Sequence, residues 1–186
     1  MKPVHSLQTL RDRFALSERM PLVFLGHGSP MNAIEDTVYS RGWTQLGRQL
    51  PRPQAILVVS AHWVSVGTTL VDVSDLPVVI HDFHGFPNAL YDQDYPAMGD
   101  PELAREVVSL LSSHQAQEND TWGLDHGAWS VLKFLFPKAD VPVFQVSIDM
   151  TRDFDWHLEI GQVLSDLRDR GVLILGSGNI VHNLRA

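Results

Sequence analysis

The clearest strand signal in this chain is Ala55-Ile56-Leu57-Val58-Val59-Ser60-Ala61-His62-Trp63. Five apolar residues in a row, two of them valines, are typical of a strand buried on both faces of a parallel sheet. The run ends in small residues and a histidine. Because open parallel sheets bind ligands at the carboxyl ends of their strands, His62 is a candidate functional residue.

The same arrangement occurs twice more along the chain. Leu22–Gly26 predicts a buried strand that ends at His27, which lies between two glycines. Val172–Gly176 predicts the last strand, and His182 follows it closely. Each histidine alone could equally be a hydrogen-bonded loop residue. Three at equivalent strand ends would share one crevice, where imidazoles suit a first-row metal such as zinc, iron or manganese.

Helical patterns alternate with these strands. Helices are predicted over 42–49, 101–113, 128–136 and 151–170, and further strands over 68–73 and 141–148. The alternation predicts an α/β fold with a mostly parallel central sheet, helices on both faces and the metal site at the carboxyl ends of the strands. In the last helix, the spacing predicts an inward stripe that consists of Phe154, Leu158, Val163, Leu164 and Leu167.

A further glycine-flanked histidine, His126, comes just before the helix predicted over 128–136. Its position predicts a general acid or base, or a hydrogen-bond donor to substrate, beside the metal. The alternative is a helix N-terminal residue packed by neighbouring tryptophans. His114 and His157 fall on predicted helix surfaces, where we expect them to be solvated.

The segment 76–101 is predicted to be irregular and is rich in aromatic residues. Loops of this length in a compact domain are usually functional or disordered, and aromatic residues argue against disorder. His81 and His84 flank Asp82 within it. The spacing leaves open a metal cluster, a loop that gates substrate, and plain surface.

Composition limits the classes of function. The chain has 186 residues, no cysteine and a formal net charge of −8, so neither nucleic acid nor an anionic membrane is the expected partner. The absence of cysteine favours a cytoplasmic protein. Residues 1–19 are predicted to be a polar leader, and residues 20–186 a single catalytic α/β domain. No apolar run reaches the roughly 20 residues of a membrane span.

Several motifs between about Met20 and Arg185 occur in one order: Phe24–Asn32, Val59–Trp63, His81–Phe83, Trp122–Gly127 and Gly176–Leu184. Together they resemble the class III extradiol ring-cleavage dioxygenases, in particular the branch of DOPA 4,5-dioxygenases. The resemblance implies a non-haem metal site with His27 and His62 as ligands. It implies that His182 is a ligand or the catalytic base, and that His126 lies in the substrate pocket.

The resemblance also implies the reaction, which is cleavage of a catechol ring by O2 with Fe(II). Some members of the family are found with zinc instead. The expected partners are therefore a small DOPA-like catechol and O2, and an oligomer is compatible with the sequence.

Members of that family continue beyond the position that matches Ala186, into an Asn-Pro-x-Pro-x-His-type segment with a further metal ligand. The resemblance therefore implies that the C-terminal part of the family domain is missing here, or that another chain supplies the ligand. Two alternatives to a dioxygenase stay open. One is a zinc-dependent hydrolase at the same histidines, and the other is a non-catalytic metal-binding remnant.

Overall fold

The computed structural model describes residues 19–180. Its centre is a four-stranded sheet in which every neighbouring pair of strands is parallel. In spatial order the strands are β1 (Leu22–Leu25), β8 (Val172–Ser177), β2 (Ala55–Ser60) and β6 (Val143–Gln145). The predicted α/β class with a mostly parallel central sheet is confirmed.

Two small parallel sheets lie beside the central one. One pairs β3 (Val64–Ser65) with β7 (Ile148–Asp149), and the other pairs β4 (Leu70–Asp72) with β5 (Gln117–Asn119). The single strand predicted over 141–148 is therefore divided between β6 and β7. The chain leaves the central sheet here, because Ser147 donates its backbone N–H to the carbonyl of Leu70 instead of to β2.

Five α-helices lie among the described residues: α1 (Val38–Gln49), α2 (Asn88–Tyr91), α3 (Pro101–Leu110), α4 (His126–Leu135) and α5 (Phe154–Leu164). The four longer helices begin at side chains that accept a hydrogen bond from a first-turn N–H, namely Thr37, Asp100, Asp125 and Asp153. Such caps satisfy backbone donors that have no partner within the helix. A 3₁₀ turn, Ser165–Arg170, extends α5, and Gly171 ends it at φ 77°.

Helices cover both faces of the sheet, as predicted. Ile56 and Val58 of β2 belong to one apolar cluster, which also contains residues of α1 and α4. Ala55 and Leu57 belong to a second cluster, which contains residues of α3 and α5. Successive residues of a strand point to opposite faces, so the two clusters are the two layers of the core.

Two predictions about burial were wrong. β1 is an outer strand of the sheet, and Leu22 and Phe24 are 57% and 55% exposed. In α5 Leu164 is buried as predicted, in one stripe with Ile160, but Phe154 and Leu158 are exposed. These two residues lie about a third of a turn around the helix from that stripe, because each residue advances roughly 100° around the axis.

The predicted polar leader, residues 1–19, falls outside the described residues except for Arg19. The guanidinium of Arg19 pairs with the Asp169 carboxylate at 2.6 Å. Within residues 19–180, no helix combines the length and the apolar character that crossing a bilayer requires.

Candidate metal centre

Three neighbouring strands of the sheet, β1, β8 and β2, end level with one another. In the register of the sheet, Ser177 of β8 is the partner of Leu25 on one side and of Ser60 on the other. The chain continues two residues further to His27 and to His62, so both rings reach the same edge. Their Nε2 atoms are 3.0 Å apart, and their ring centres are 4.8 Å apart.

His126 comes to the same place from a different layer. It is the first residue of α4, where the Asp125 side chain caps the helix by accepting from the N–H of Ala128. Its ring centre lies 4.0 Å from that of His62 and 5.4 Å from that of His27. One ring nitrogen from each of the three histidines lies within 4.8 Å of the others.

The His27 ring is buried and is held by a hydroxyl. His27 Nδ1 lies 2.9 Å from Ser177 Oγ, and the Ser177 hydroxyl donates to the carbonyl of Gly127 at 2.5 Å. A hydroxyl has a single proton, so Ser177 accepts from Nδ1–H of His27. The backbone is held as well, because Asn32 Nδ2 donates to the carbonyl of His27 at 3.1 Å.

Asp82 holds the other two rings. Its Oδ2 lies 3.1 Å from Nδ1 of His62, and its Oδ1 lies 2.9 Å from Nδ1 of His126. The backbone N–H of His126 also donates to Oδ1 at 2.9 Å. One side chain of the irregular segment 76–101 therefore connects two histidines from separate elements.

Electrostatics favour the charged form of this carboxyl group. Burial alone would raise the pKa of Asp82, but hydrogen bonds from His126 and His62 outweigh it and hold the pKa far below its usual range. The hydrogen bond with Asp82 in turn raises the pKa of His62, although partial burial opposes the shift.

A second carboxylate lies beneath the site. Asp125 is fully buried and accepts from Ser60 Oγ at 2.6 Å and from Gln145 Nε2 at 3.1 Å. The start of α4 packs closely against the end of β2 at Gly127. A Cβ at this position would lie 2.6 Å from Ser60 Oγ and 3.0 Å from Cδ2 of His62. A side chain at this position would clash with the Ser60 hydroxyl and press against the His62 ring, so the packing favours glycine here.

A family model described as the catalytic LigB subunit of aromatic ring-opening dioxygenase matches residues 21–186. The chain belongs to this family. It is 52% identical over 177 residues to a protein named 4,5-DOPA dioxygenase extradiol from Escherichia coli K12, covering 95% of this chain and 65% of that protein. A protein of the same name from Beta vulgaris is 42% identical over 165 residues, covering 86% of this chain and 61% of that protein.

A solved structure supports the fold. The crystal structure of uncharacterized protein JW3007 from Escherichia coli K12 matches this LigB-family chain with a TM-score of 0.75 and 48% identity. The match covers 90% of this chain and 63% of that one. This chain thus spans 61 to 65% of the length of these relatives.

The histidine cluster of the LigB-family chain fits a metal ion. Two nitrogens that bind one ion at about 2.1 Å each, in neighbouring coordination positions, are about 3 Å apart. His27 Nε2 and His62 Nε2 have this separation. Asp82 contacts the His62 and His126 rings from behind, where carboxylates commonly orient metal-bound histidines. The negative charge of Asp125 also acts on His62.

The other candidate histidines have different outcomes. His182 is outside the described residues, so its predicted role remains a prediction. His81 does not join the cluster, because its Nε2 donates to the carbonyl of Gln93, 3.0 Å away, and His84 is exposed. The two histidines, His81 and His84, made this segment a candidate for the site, but Asp82 between them is the residue that contacts the cluster. No local pattern shows which of three polar side chains within four residues of an irregular loop reaches the site.

Of the two histidines predicted to lie on helix surfaces, His114 was predicted wrongly. His114 is buried: its Nε2 lies 3.3 Å from Glu159 Oε2, and its ring packs against Trp156. His114 follows α3 in a short 3₁₀ turn, and α5 packs over this turn. Helical periodicity within one segment does not show that a second helix will cover it. His157 is half-buried and donates from Nε2 to the carbonyl of Asp149 at 3.1 Å.

Proposed function

We propose that this chain carries the metal-binding core of an extradiol dioxygenase that opens the aromatic ring of a catechol with O2. The observation that carries the proposal is the convergence of His27, His62 and His126 at the carboxyl ends of parallel strands. Membership of the LigB family and the names of the relatives support the reaction class. A DOPA-like catechol is the substrate that those names favour.

In this proposal His27 and His62 hold a non-haem Fe(II) ion through Nε2. Zinc is the other ion that suits the same donors. His182 would act as a further ligand or as the base. The bound iron would supply a Lewis acid for the catechol oxygens and a one-electron partner for O2.

The protein side chains supply proton transfer and orientation. His126 would accept a proton from a catechol hydroxyl at Nε2, since its Nδ1 is engaged by Asp82. A neutral imidazole is a suitable acceptor near neutral pH. Asp82 and Ser177 would keep the three rings in their observed orientations while the substrate enters.

The test is anaerobic loading of the purified chain with Fe(II), followed by L-DOPA or simpler catechols and O2. We expect a yellow ring-opened product and one O2 consumed for each ring opened. His27→Ala and His62→Ala should each lose iron binding and product. The matched control, His84→Ala, removes an exposed histidine and should retain both.

Two outcomes would contradict the proposal. One is a chain that binds iron stoichiometrically and opens none of the catechols. The other is hydrolysis by the zinc-loaded chain in the absence of O2, which would favour a zinc-dependent hydrolase.

A further inference from the structure

Asp82 contacts two histidines to which the proposed function gives different roles. Both contacts are made through Nδ1, with His62 at Oδ2 and His126 at Oδ1. Oδ1 also accepts from the backbone N–H of His126. Each carboxylate oxygen thus has a defined partner, and the two rings are connected through one side chain 44 positions away from His126.

We infer that Asp82 is a positioning residue that sets the tautomers of His62 and His126 together, so that both rings present an unprotonated Nε2. A carboxylate accepts hydrogen bonds and donates none, so each Nδ1 must carry a proton. The lone pair of each neutral ring is then on Nε2. The inference rests on the proposed function for the metal, but the tautomers can be measured without it.

The facing Nε2 atoms of His62 and His27 show where this arrangement would accommodate a cation. His62 Nε2 faces His27 Nε2 at 3.0 Å, and Ser177 assigns the His27 proton to Nδ1. Two lone pairs at that distance repel each other unless a proton or a cation lies between them. Asp82 and Ser177 therefore act from opposite sides to create a place for positive charge.

The variant Asp82→Asn separates the two contacts. The backbone N–H of His126 requires an acceptor, so the amide oxygen must stay at the Oδ1 position, where it also keeps Nδ1–H of His126. The amide NH₂ then faces Nδ1 of His62. Since that group only donates, His62 must move its proton to Nε2. The expected result is a tautomer change at His62 but not at His126.

Long-range ¹H–¹⁵N spectra of the metal-free full chain report the protonated nitrogen of each histidine. At about pH 9, where free imidazole is neutral, the original chain should show Nδ1–H at His62 and His126. In Asp82→Asn, His62 should change to Nε2–H while His126 stays the same. His62→Ala and His126→Ala spectra assign the signals.

A second measurement compares the zinc affinities of the original chain and the variant. Titration with Zn²⁺ should show an affinity about 10- to 100-fold lower for Asp82→Asn, the range typical of outer-shell partners. The matched control is Asp92→Asn, which makes the same change at an exposed aspartate ten positions further along the segment. It should leave the tautomers and the zinc affinity unchanged.

Each outcome decides the inference. In Asp82→Asn, Nδ1–H retained at His62, or a change at both rings, would overturn it. If that variant fails to fold by circular dichroism, the original chain decides, and a proton on Nε2 without one on Nδ1, at either ring, would count against Asp82. If the original chain shows the expected tautomers but binds neither zinc nor iron, the proposed function fails while the role of Asp82 stands.

Discussion

Two strands of the central sheet, β1 and β2, each end at a histidine, but their burial is reversed. β2 is buried in the middle of the sheet, yet the side chain of His62 beyond it is 26% exposed. β1 lies at the edge with alternate residues exposed, yet His27 beyond it is 2% exposed. The environment of a strand is therefore a poor guide to that of the residue that follows it.

Different layers of the structure cause this difference. A strand is buried by its neighbours in the sheet and by the helices above and below, and β1 has only β8 as a partner among the described strands. His27 is buried by the start of α4 and by the turn that carries Asn32. His62 is held by Asp82, a loop residue that leaves one side of the ring open.

The largest expected effect is a loss of folding stability when a buried residue of β2 is truncated. Leu57→Ala in β2 should lower the free energy of unfolding by about 2–5 kcal/mol, because Leu57 is fully buried and its truncation leaves a cavity. Leu22→Ala in β1 should cost less than about 1 kcal/mol, since that side chain is already largely exposed. Urea denaturation measures both. Equal losses would mean that β1 is covered as well as β2.

Gly28→Ala tests how the turn after β1 holds His27. Gly28 has φ 64°, and a Cβ there would lie 2.9 Å from Asn32 Nδ2, the group that donates to the carbonyl of His27. We expect a loss of about 1–2 kcal/mol from the left-handed backbone and weaker zinc binding from the displaced clamp. Urea denaturation and zinc titration measure the two effects.

The control for this variant is Gly67→Ala. Gly67 has φ 78° and no atom within 4 Å of a Cβ, so it carries the same backbone strain without the contact. It should lose similar stability and keep its zinc affinity. If both variants bind zinc equally well, the contact with Asn32 does not position His27.

Ser177→Ala tests how strongly a hydroxyl holds the His27 ring, compared with the Asp82 carboxylate that holds His62 and His126. It removes the acceptor of His27 Nδ1–H and the donor to the carbonyl of Gly127. We expect zinc affinity to fall about 10-fold, at the low end for outer-shell partners and below the effect of Asp82→Asn, because Asp82 is charged and holds two rings. Zinc titration measures the change.

The control is Ser109→Ala, on the exposed side of α3, where the hydroxyl bonds only within its own helix. It should leave the zinc affinity unchanged. A larger loss from Ser177→Ala than from Asp82→Asn would reverse the ranking of the two groups.

Local patterns predicted much of the fold. The apolar runs of β2 and β8 and the helical patterns of α1, α3, α4 and α5 depend on neighbouring residues, so they can be read from the sequence. Positions that depend on packing between distant elements were predicted wrongly. β1 has an apolar run like that of β2, but the strand order assigns it to the edge.

For the candidate site, the convergence of His27 and His62 followed from the rule that parallel strands end at one edge. The position of His126 against them required the packing of α4 on β2. Asp82 was identified only in the structure, because it comes from an irregular segment in which no periodicity assigns side-chain direction.

Apolar periodicity and turn residues act over a few positions, so the amino-acid order specifies the α/β class, the residues of the core strands and the histidines that follow two of them. The tertiary structure alone decided which strand lies at the edge, which histidine is buried and which carboxylate holds His62 and His126. These depend on contacts between residues far apart in the chain, and such contacts exist only once the layers have packed.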